Sequence, residues 1–103
     1  MSHPLFKTSN ELTFNTVQSD RKRIMKYLQA LDADVFSLDL SEVTQCDSAG
    51  LALLIESKRQ CKIHDKIFEI EHMPKSIYAL AEFCGVDAIL CANIVNEVVH
   101  DKQ

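Results

Sequence analysis

Glycine and proline are scarce in this chain of 103 residues, which contains two of each. Linkers and disordered tails are rich in such residues, so their scarcity argues against both. No apolar run approaches the roughly 18 residues that a membrane-crossing helix needs, and the first residues, Met1 to Lys7, lack the apolar region of a signal peptide. We therefore expect one folded domain over residues 1–103, located in the cytoplasm.

Positive charge is also in deficit, since 11 Lys and Arg stand against 15 Asp and Glu. Without a basic stripe, the chain is not expected to bind nucleic acid. Enzyme motifs are missing as well: there is no Gly-rich phosphate loop, no G-x-S-x-G nucleophile motif and no metal-ligand spacing. The histidines, which we expect to face solvent, are His3, His64, His72 and His100. We expect no catalytic residue, no cofactor and no metal site.

The four cysteines show no C-x-x-C spacing, and a cytoplasmic chain keeps its thiols reduced. They are Cys46, Cys61, Cys84 and Cys91. Because Cys84 and Cys91 stand among apolar neighbours, we expect both to be small core residues.

Hydrophobic periodicity predicts an α/β fold. The expected elements are strands over residues 5–8 and 11–15, a helix over 20–31, a buried strand over 35–40, a helix over 49–61, a strand over 67–71, a helix from Pro74 that ends at Gly85, a short strand or turn over 86–90 and a final helix or strand over 92–99. A tight turn at Ser9-Asn10 would join the first two strands as a hairpin, with Leu12 and Phe14 on its buried face. The fold is then a mixed sheet of about four to five strands packed against about four helices.

The most informative stretch runs from Leu38 to Ile55, where a buried strand leads through a polar turn into an apolar helix. Asp47 and Ser48 stand where that helix begins. A side-chain oxygen there can cap the unpaired N–H groups of the first turn, and either residue could supply it. A phosphate on Ser48 would meet the same N–H groups.

This stretch reads D-L-S-x-V-x-x-x-D-S-A-G-L-A-L-L and resembles the STAS domain family, within it MlaB most closely. E-H-M-P-K-S at 71–76 and L-A-E-F-C-G-V-D at 80–87 extend the resemblance, which covers residues 36–90. MlaB proteins are the STAS subunits of the Mla ABC complex, which transports phospholipid and maintains the lipid asymmetry of the outer membrane. The resemblance implies a non-enzymatic STAS-like domain.

The resemblance implies two alternative functions. In the first, the chain binds and stabilises or regulates the ATPase subunit of an Mla-type transporter, MlaF, and is held at the inner membrane indirectly through that ATPase and the permease, without entering the membrane itself. Ser48 would then be a contact residue. In the second, the chain is an anti-sigma factor antagonist, its partners are a serine kinase and an anti-sigma factor, and Ser48 is the phosphorylated residue, with Asp47 adding to the repulsion of an acidic partner.

Periodicity along the helix after Ser48 predicts which side is free. Leu51, Leu54 and Ile55 form the core stripe, so Leu53 is expected to point away from it and Ala52 to lie at its side. A single exposed leucine needs no explanation, but the resemblance favours an interface. We expect the partner-binding residues to be Asp47, Ser48, Ala52, Leu53 and Glu56, with Arg59 and Gln60 also at the polar rim. A weaker candidate surface consists of Pro74, Lys75, Ser76 and Tyr78.

Overall fold

Parallel strands and the helices that connect them make up the computed structural model, which describes residues 5–91 without the side chain of Cys91. In chain order the elements are β1 (Leu5–Lys7), β2 (Glu11–Leu12), α1 (Val17–Ala30), β3 (Val35–Asp39), β4 (Gln45–Cys46), α2 (Ser48–Ile63), β5 (Ile67–Glu71), α3 (Lys75–Cys84) and α4 (Asp87–Cys91). The α/β class with five strands and four helices is confirmed for this part of the chain. The element expected over 92–99 and the core position expected for Cys91 lie outside the described residues.

The central strand of the larger sheet is β3, which lies between β1 and β5 and runs parallel to both. Leu38 is level with Phe6 on one side and Ile70 on the other. Phe36, Leu38 and Leu40 are all fully buried. This burial explains the nearly continuous apolar run that predicted the strand, because helices cover the faces of parallel sheets.

The hairpin expected between the first two strands is wrong. β1 pairs with β3, while β2 pairs in parallel with β4 in a separate two-stranded sheet, so every pairing among the described strands is parallel. Local alternation cannot identify a partner that is distant in sequence. β2 also stops at Leu12, because the chain turns over Thr13–Thr16, and Phe14 is exposed instead of buried.

The first helix begins at Val17 and not at Asp20, because the turn that precedes it already makes helical hydrogen bonds. The Val17 N–H donates to Thr13 and the Asp20 N–H to Thr16. Asp20 is consequently a fully buried residue inside the first turn, where its carboxylate accepts hydrogen bonds from Ser9.

Helix α3 ends at Gly85 as expected, whereas the segment that follows it is a helix and not the expected strand or turn. Gly85 adopts the left-handed conformation, with φ of 77°, that terminates a helix. Pro74 lies at the N-cap of α3, immediately before its first residue. The strand or turn expected over 86–90 is instead α4, in which Leu90 is buried and its N–H donates to Val86. A short apolar run is compatible with a strand or a helix, and the hydrogen bond from Leu90 to Val86, four residues earlier, identifies this segment as a helix.

Gly50 lies where α2 crosses β2, and a side chain does not fit there. A Cβ built on Gly50 would be 2.0 Å from the carbonyl oxygen of Leu12 and 2.7 Å from its carbonyl carbon. These are backbone atoms and cannot rotate away. The packing of α2 against β2 therefore requires glycine at this position.

We expect Gly50→Ala to lower the free energy of unfolding by about 3 kcal/mol, because the helix must separate from β2 to accommodate the methyl group. Gly85→Ala is the matched control. A Cβ added at Gly85 has no atom within 4 Å, so the only cost is the positive φ of this residue, which destabilises an alanine by about 1 kcal/mol. Urea unfolding followed by circular dichroism measures both. Equal losses in the two variants would contradict the close packing.

Candidate functional site

The carboxylate of Asp47 caps helix α2. Its Oδ1 accepts hydrogen bonds from the N–H groups of Ala49, at 2.9 Å, and Gly50, at 3.1 Å. Asp47 has the extended backbone of an N-cap residue, and Ser48 is the first residue of the helix. Of the two capping residues that the sequence allowed, Asp47 therefore performs the capping.

The second oxygen of Asp47 holds a different part of the chain. Its Oδ2 accepts a hydrogen bond of 3.0 Å from the N–H of Phe14, and the Asp47 N–H donates to the Leu12 carbonyl at 3.1 Å. The bonds from Phe14, Gly50 and Ala49 outweigh desolvation and keep the pKa of Asp47 below its usual range. Asp47 is therefore an ionised bridge between the turn after β2 and the start of α2.

Ser48, Ala52 and Glu56 follow one another at four-residue spacing and lie on one side of α2, which we call the Ser48 face. Ser48 and Ala52 are exposed and Glu56 is half-buried. Among residues 5–91 the Ser48 hydroxyl has no hydrogen-bond partner, because Asp47 does the capping. The Ser48 face thus presents a free hydroxyl and a methyl group at the start of the helix.

A fixed ion pair ends the Ser48 face. Arg59 binds both carboxylate oxygens of Glu56, at 3.0 and 2.9 Å, and Gln60 donates to Glu56 at 2.9 Å. The hydrogen bonds from Arg59, followed by that from Gln60, lower the pKa of Glu56, and the same pairing raises the pKa of Arg59. Arg21 of α1 lies 4.0 Å from this carboxylate. The predicted rim is therefore polar but locally charge-compensated.

Leu53 does not belong to this exposed surface, and the expected outward orientation is wrong. Its side chain is only 4% exposed, similar to Leu51 and Leu54. The helix is buried over a wide arc because α1 packs on α2 beside the strand β5 and the helix α3. The periodicity argument assumed that only one sheet covers the helix, whereas α2 has several neighbours and is buried on more than one side.

Phe14 is the surface residue that the sequence reasoning missed. It is 79% exposed although its backbone is tied to Asp47. The signal in the sequence was the polar run around it, since Thr13, Asn15 and Thr16 fit a turn better than a strand. Phe14 thus joins Asp47 and Ser48 at the edge of the fold where α2 begins.

The weaker candidate surface lies in the first turn of α3, where Lys75, Ser76 and Tyr78 are exposed. Helix α2 leads into the start of β5, so its own first turn lies at the opposite edge of the sheet, where β5 ends. Helix α3 begins just after β5 ends, so its first turn lies at that same edge.

The described cysteines are free thiols, and their surroundings differ. Burial raises the pKa of Cys61 to about 12. Burial, assisted by the charge of Asp47, raises the pKa of Cys46 to about 11. Both thiols are protonated at neutral pH and are poor nucleophiles. Cys84 is exposed, so its expected core position is wrong: it falls at the last residue of α3, beyond the stripe formed by Ile77 and Ala81.

The two described histidines make local contacts. His72 is largely exposed, as expected, and its Nδ1 lies 3.1 Å from the buried Asp39 carboxylate. Burial acts to raise the pKa of Asp39, but hydrogen bonds from Ser41 and His72 outweigh it, and the pKa is lowered. His64 is half-buried and its ring bonds the Gln60 carbonyl. Within residues 5–91, His, Cys, Asp and Glu form no group of three or more suited to a metal ion.

Comparison with known proteins identifies the family of the chain and a solved structure with a similar fold. A family model described as MlaB, STAS domain matches residues 9–95. The crystal structure of a sulfate transporter family protein from Wolinella succinogenes superposes with a TM-score of 0.68 at 18% identity, over 87% of this chain and 75% of that chain. At this identity the likeness concerns the fold alone. No curated protein matches the chain in sequence. In the described part of the chain, no helix is both long and apolar enough to cross a membrane.

We expect Asp47→Ala to lower the urea midpoint of unfolding at pH 7, because both the cap and the bridge to Phe14 are lost. A carboxylate whose pKa is depressed by folding stabilises the fold above its unfolded pKa, which is about 4, and loses that effect as the pH falls through the folded value. The midpoints of wild type and variant should therefore converge towards pH 3.

Asp32→Ala is the control, since Asp32 is an exposed carboxylate outside the helices and strands. Its midpoint should follow that of the wild type at both pH values. A difference between wild type and Asp47→Ala that is unchanged at pH 3 would contradict the role assigned to the ionised carboxylate.

Proposed function

The chain belongs to the STAS domain family of the MlaB type, and from this we propose that it is a non-enzymatic subunit that binds the ATPase of an Mla-type ABC transporter. In this proposal it stabilises or regulates that ATPase at the cytoplasmic side of the inner membrane, where the transporter moves phospholipid and maintains the lipid asymmetry of the outer membrane. The chain itself contacts the ATPase, and its association with the permease is indirect.

The observation that carries this proposal is the Ser48 face. Ser48 and Ala52 are small and exposed, so a partner can approach the backbone of α2 closely. The Ser48 hydroxyl is available to bond a partner because Asp47 performs the capping. The Glu56–Arg59 pair supplies a polar rim whose two charged groups are already paired with each other in the unbound chain. A small apolar centre beside a polar rim is the usual anatomy of a protein interface.

We expect Ala52→Arg to weaken binding to the purified ATPase at least about tenfold, since a long charged side chain would separate two closely packed surfaces. Ser48→Arg should act similarly. The matched control is Ala30→Arg, an exposed alanine in the last turn of α1. Isothermal titration calorimetry gives the three affinities. Wild-type affinity for both Ala52→Arg and Ser48→Arg would remove the Ser48 face from the interface.

Leu53→Asp is not a useful probe of this interface, because the Leu53 side chain is buried in the core of the domain. A carboxylate there would be desolvated and would unfold the domain, so loss of binding would follow for a trivial reason.

A second candidate function is that of an anti-sigma factor antagonist controlled by phosphorylation of Ser48. The exposure of Ser48 supports it, since a kinase needs an accessible hydroxyl. Asp47, however, already occupies the N–H groups of Ala49 and Gly50 that would otherwise bind a phosphate. A phosphoryl group would therefore act by adding charge beside Asp47, repelling an acidic partner, and would not order the helix start.

Intact-mass spectrometry of the native protein, isolated under varied growth conditions, tests the switch. The expected result for an antagonist is a phosphorylated population that disappears in Ser48→Ala. Its absence under every condition would favour the transporter subunit over the phosphorylation switch.

A further inference from the structure

The turn that carries Phe14 is rigid although it is exposed. The Thr13 N–H donates to the Thr16 hydroxyl at 3.0 Å, and that hydroxyl donates to the Glu11 carbonyl at 2.6 Å. The Asn15 N–H donates to the Thr13 hydroxyl at 3.2 Å, and the same Thr13 hydroxyl is hydrogen-bonded to the Glu11 carboxylate. The backbone on both sides of Phe14 is therefore held in place before any partner arrives.

The same turn is fixed to the start of α2. The Phe14 N–H donates to Asp47 Oδ2, and the Asp47 N–H donates to the Leu12 carbonyl. Gly50 brings the helix so close to Leu12 that no side chain fits between them. Phe14 and the first turn of α2, which includes Ser48, therefore belong to one rigid edge of the fold.

The phenyl ring of Phe14 is 79% exposed and adds nothing to the core, although the backbone that carries it is held in place. Aromatic side chains dominate interface energetics, because they have two χ angles and lose little conformational entropy when bound. A ring whose backbone is already fixed loses even less. These conditions are typical of an anchor residue that inserts into a pocket on a partner.

The surroundings of Phe14 indicate what the partner must present. The neighbours Thr13, Asn15 and Ser48 are uncharged, whereas Asp47 keeps its negative charge while it accepts three N–H bonds, and the Glu11 carboxylate is hydrogen-bonded to Thr13. One aromatic ring within a polar border that includes two carboxylates is complementary to an apolar pocket whose rim is polar and not acidic.

We propose that Phe14 is the hydrophobic anchor of the docking surface and inserts into an apolar pocket of the ATPase beside the contacts made by Ser48 and Ala52. Asp47 is the positioning residue that holds the anchor against α2. This inference rests on the proposed function, since it takes the ATPase as the partner.

The test compares Phe14→Ala with Phe83→Ala by calorimetry against the purified ATPase. Phe83 is 89% exposed, and it lies near the end of α3, towards the opposite edge of the sheet. Truncation of an aromatic anchor weakens affinity about 30-fold, and we expect this loss for Phe14→Ala and wild-type affinity for Phe83→Ala. Both rings are exposed, so both variants should keep the wild-type urea midpoint, which checks that they are folded.

Asp47→Asn tests the positioning role separately. Asparagine is as good an N-cap as aspartate, but its single carbonyl oxygen cannot serve both the N–H groups of α2 and that of Phe14. We expect faster hydrogen exchange at the Phe14 amide and about tenfold weaker binding. Wild-type exchange and wild-type affinity in this variant would overturn the positioning role.

The outcomes separate this inference from the function on which it rests. If the wild-type chain does not bind the ATPase, the proposed function fails. If the wild type binds and Ala52→Arg does not, but Phe14→Ala retains full affinity, the function stands and the anchor is overturned. If Phe14→Ala instead abolishes only self-association, measured by analytical ultracentrifugation, the ring faces a second copy of this chain, and the anchor is likewise overturned.

Discussion

The carboxylate of Asp47 is the interaction on which the candidate site depends. One oxygen accepts two N–H bonds from α2, and the other accepts the N–H of Phe14, which is 33 positions away in the chain. Hydrogen bonds to an ionised acceptor are stronger than those between neutral groups, and these three also account for the low pKa of the residue. A single side chain thus begins the helix and joins it to the preceding turn.

This use of Asp47 determines what Ser48 can do. Had Ser48 capped the helix, its hydroxyl would point at the backbone and be unavailable to a partner. Because Asp47 fills that role, Ser48 begins the helix with its hydroxyl exposed. The two adjacent residues therefore have different roles: Asp47 caps the helix, and Ser48 exposes its hydroxyl to a partner. Both proposed roles of Ser48, contact with an ATPase and modification by a kinase, use this exposed hydroxyl.

The packing of α2 restricts the surface that a partner can use. The helix contacts α1, α3, α4 and β5, and its leucines are buried on more than one side. Gly50 permits a further close contact with Leu12. What remains exposed near the helix start is the narrow strip of Ser48 and Ala52, with Phe14 beside it. A helix enclosed in this way is rigid, and a rigid surface loses little entropy when it binds.

Local patterns in the sequence were sufficient for the elements that depend on local chemistry. The buried run predicted β3, alternation predicted β5, and Gly85 predicted the end of α3, because each signal arises within a few neighbouring residues. The D-S-A-G-L segment likewise identified the start of α2 and the residues of its first turns. The family could be recognised from the same segment.

The tertiary structure alone decided which distant segments meet. It replaced a hairpin with parallel pairs, buried Leu53, left Cys84 and Phe14 exposed, and gave the second oxygen of Asp47 its partner. In each case the outcome depends on a neighbour far away in the chain, and periodicity carries no information about such neighbours. The sequence by itself therefore determined the elements and the helix start, and the packing of those elements determined which of their residues a partner can reach.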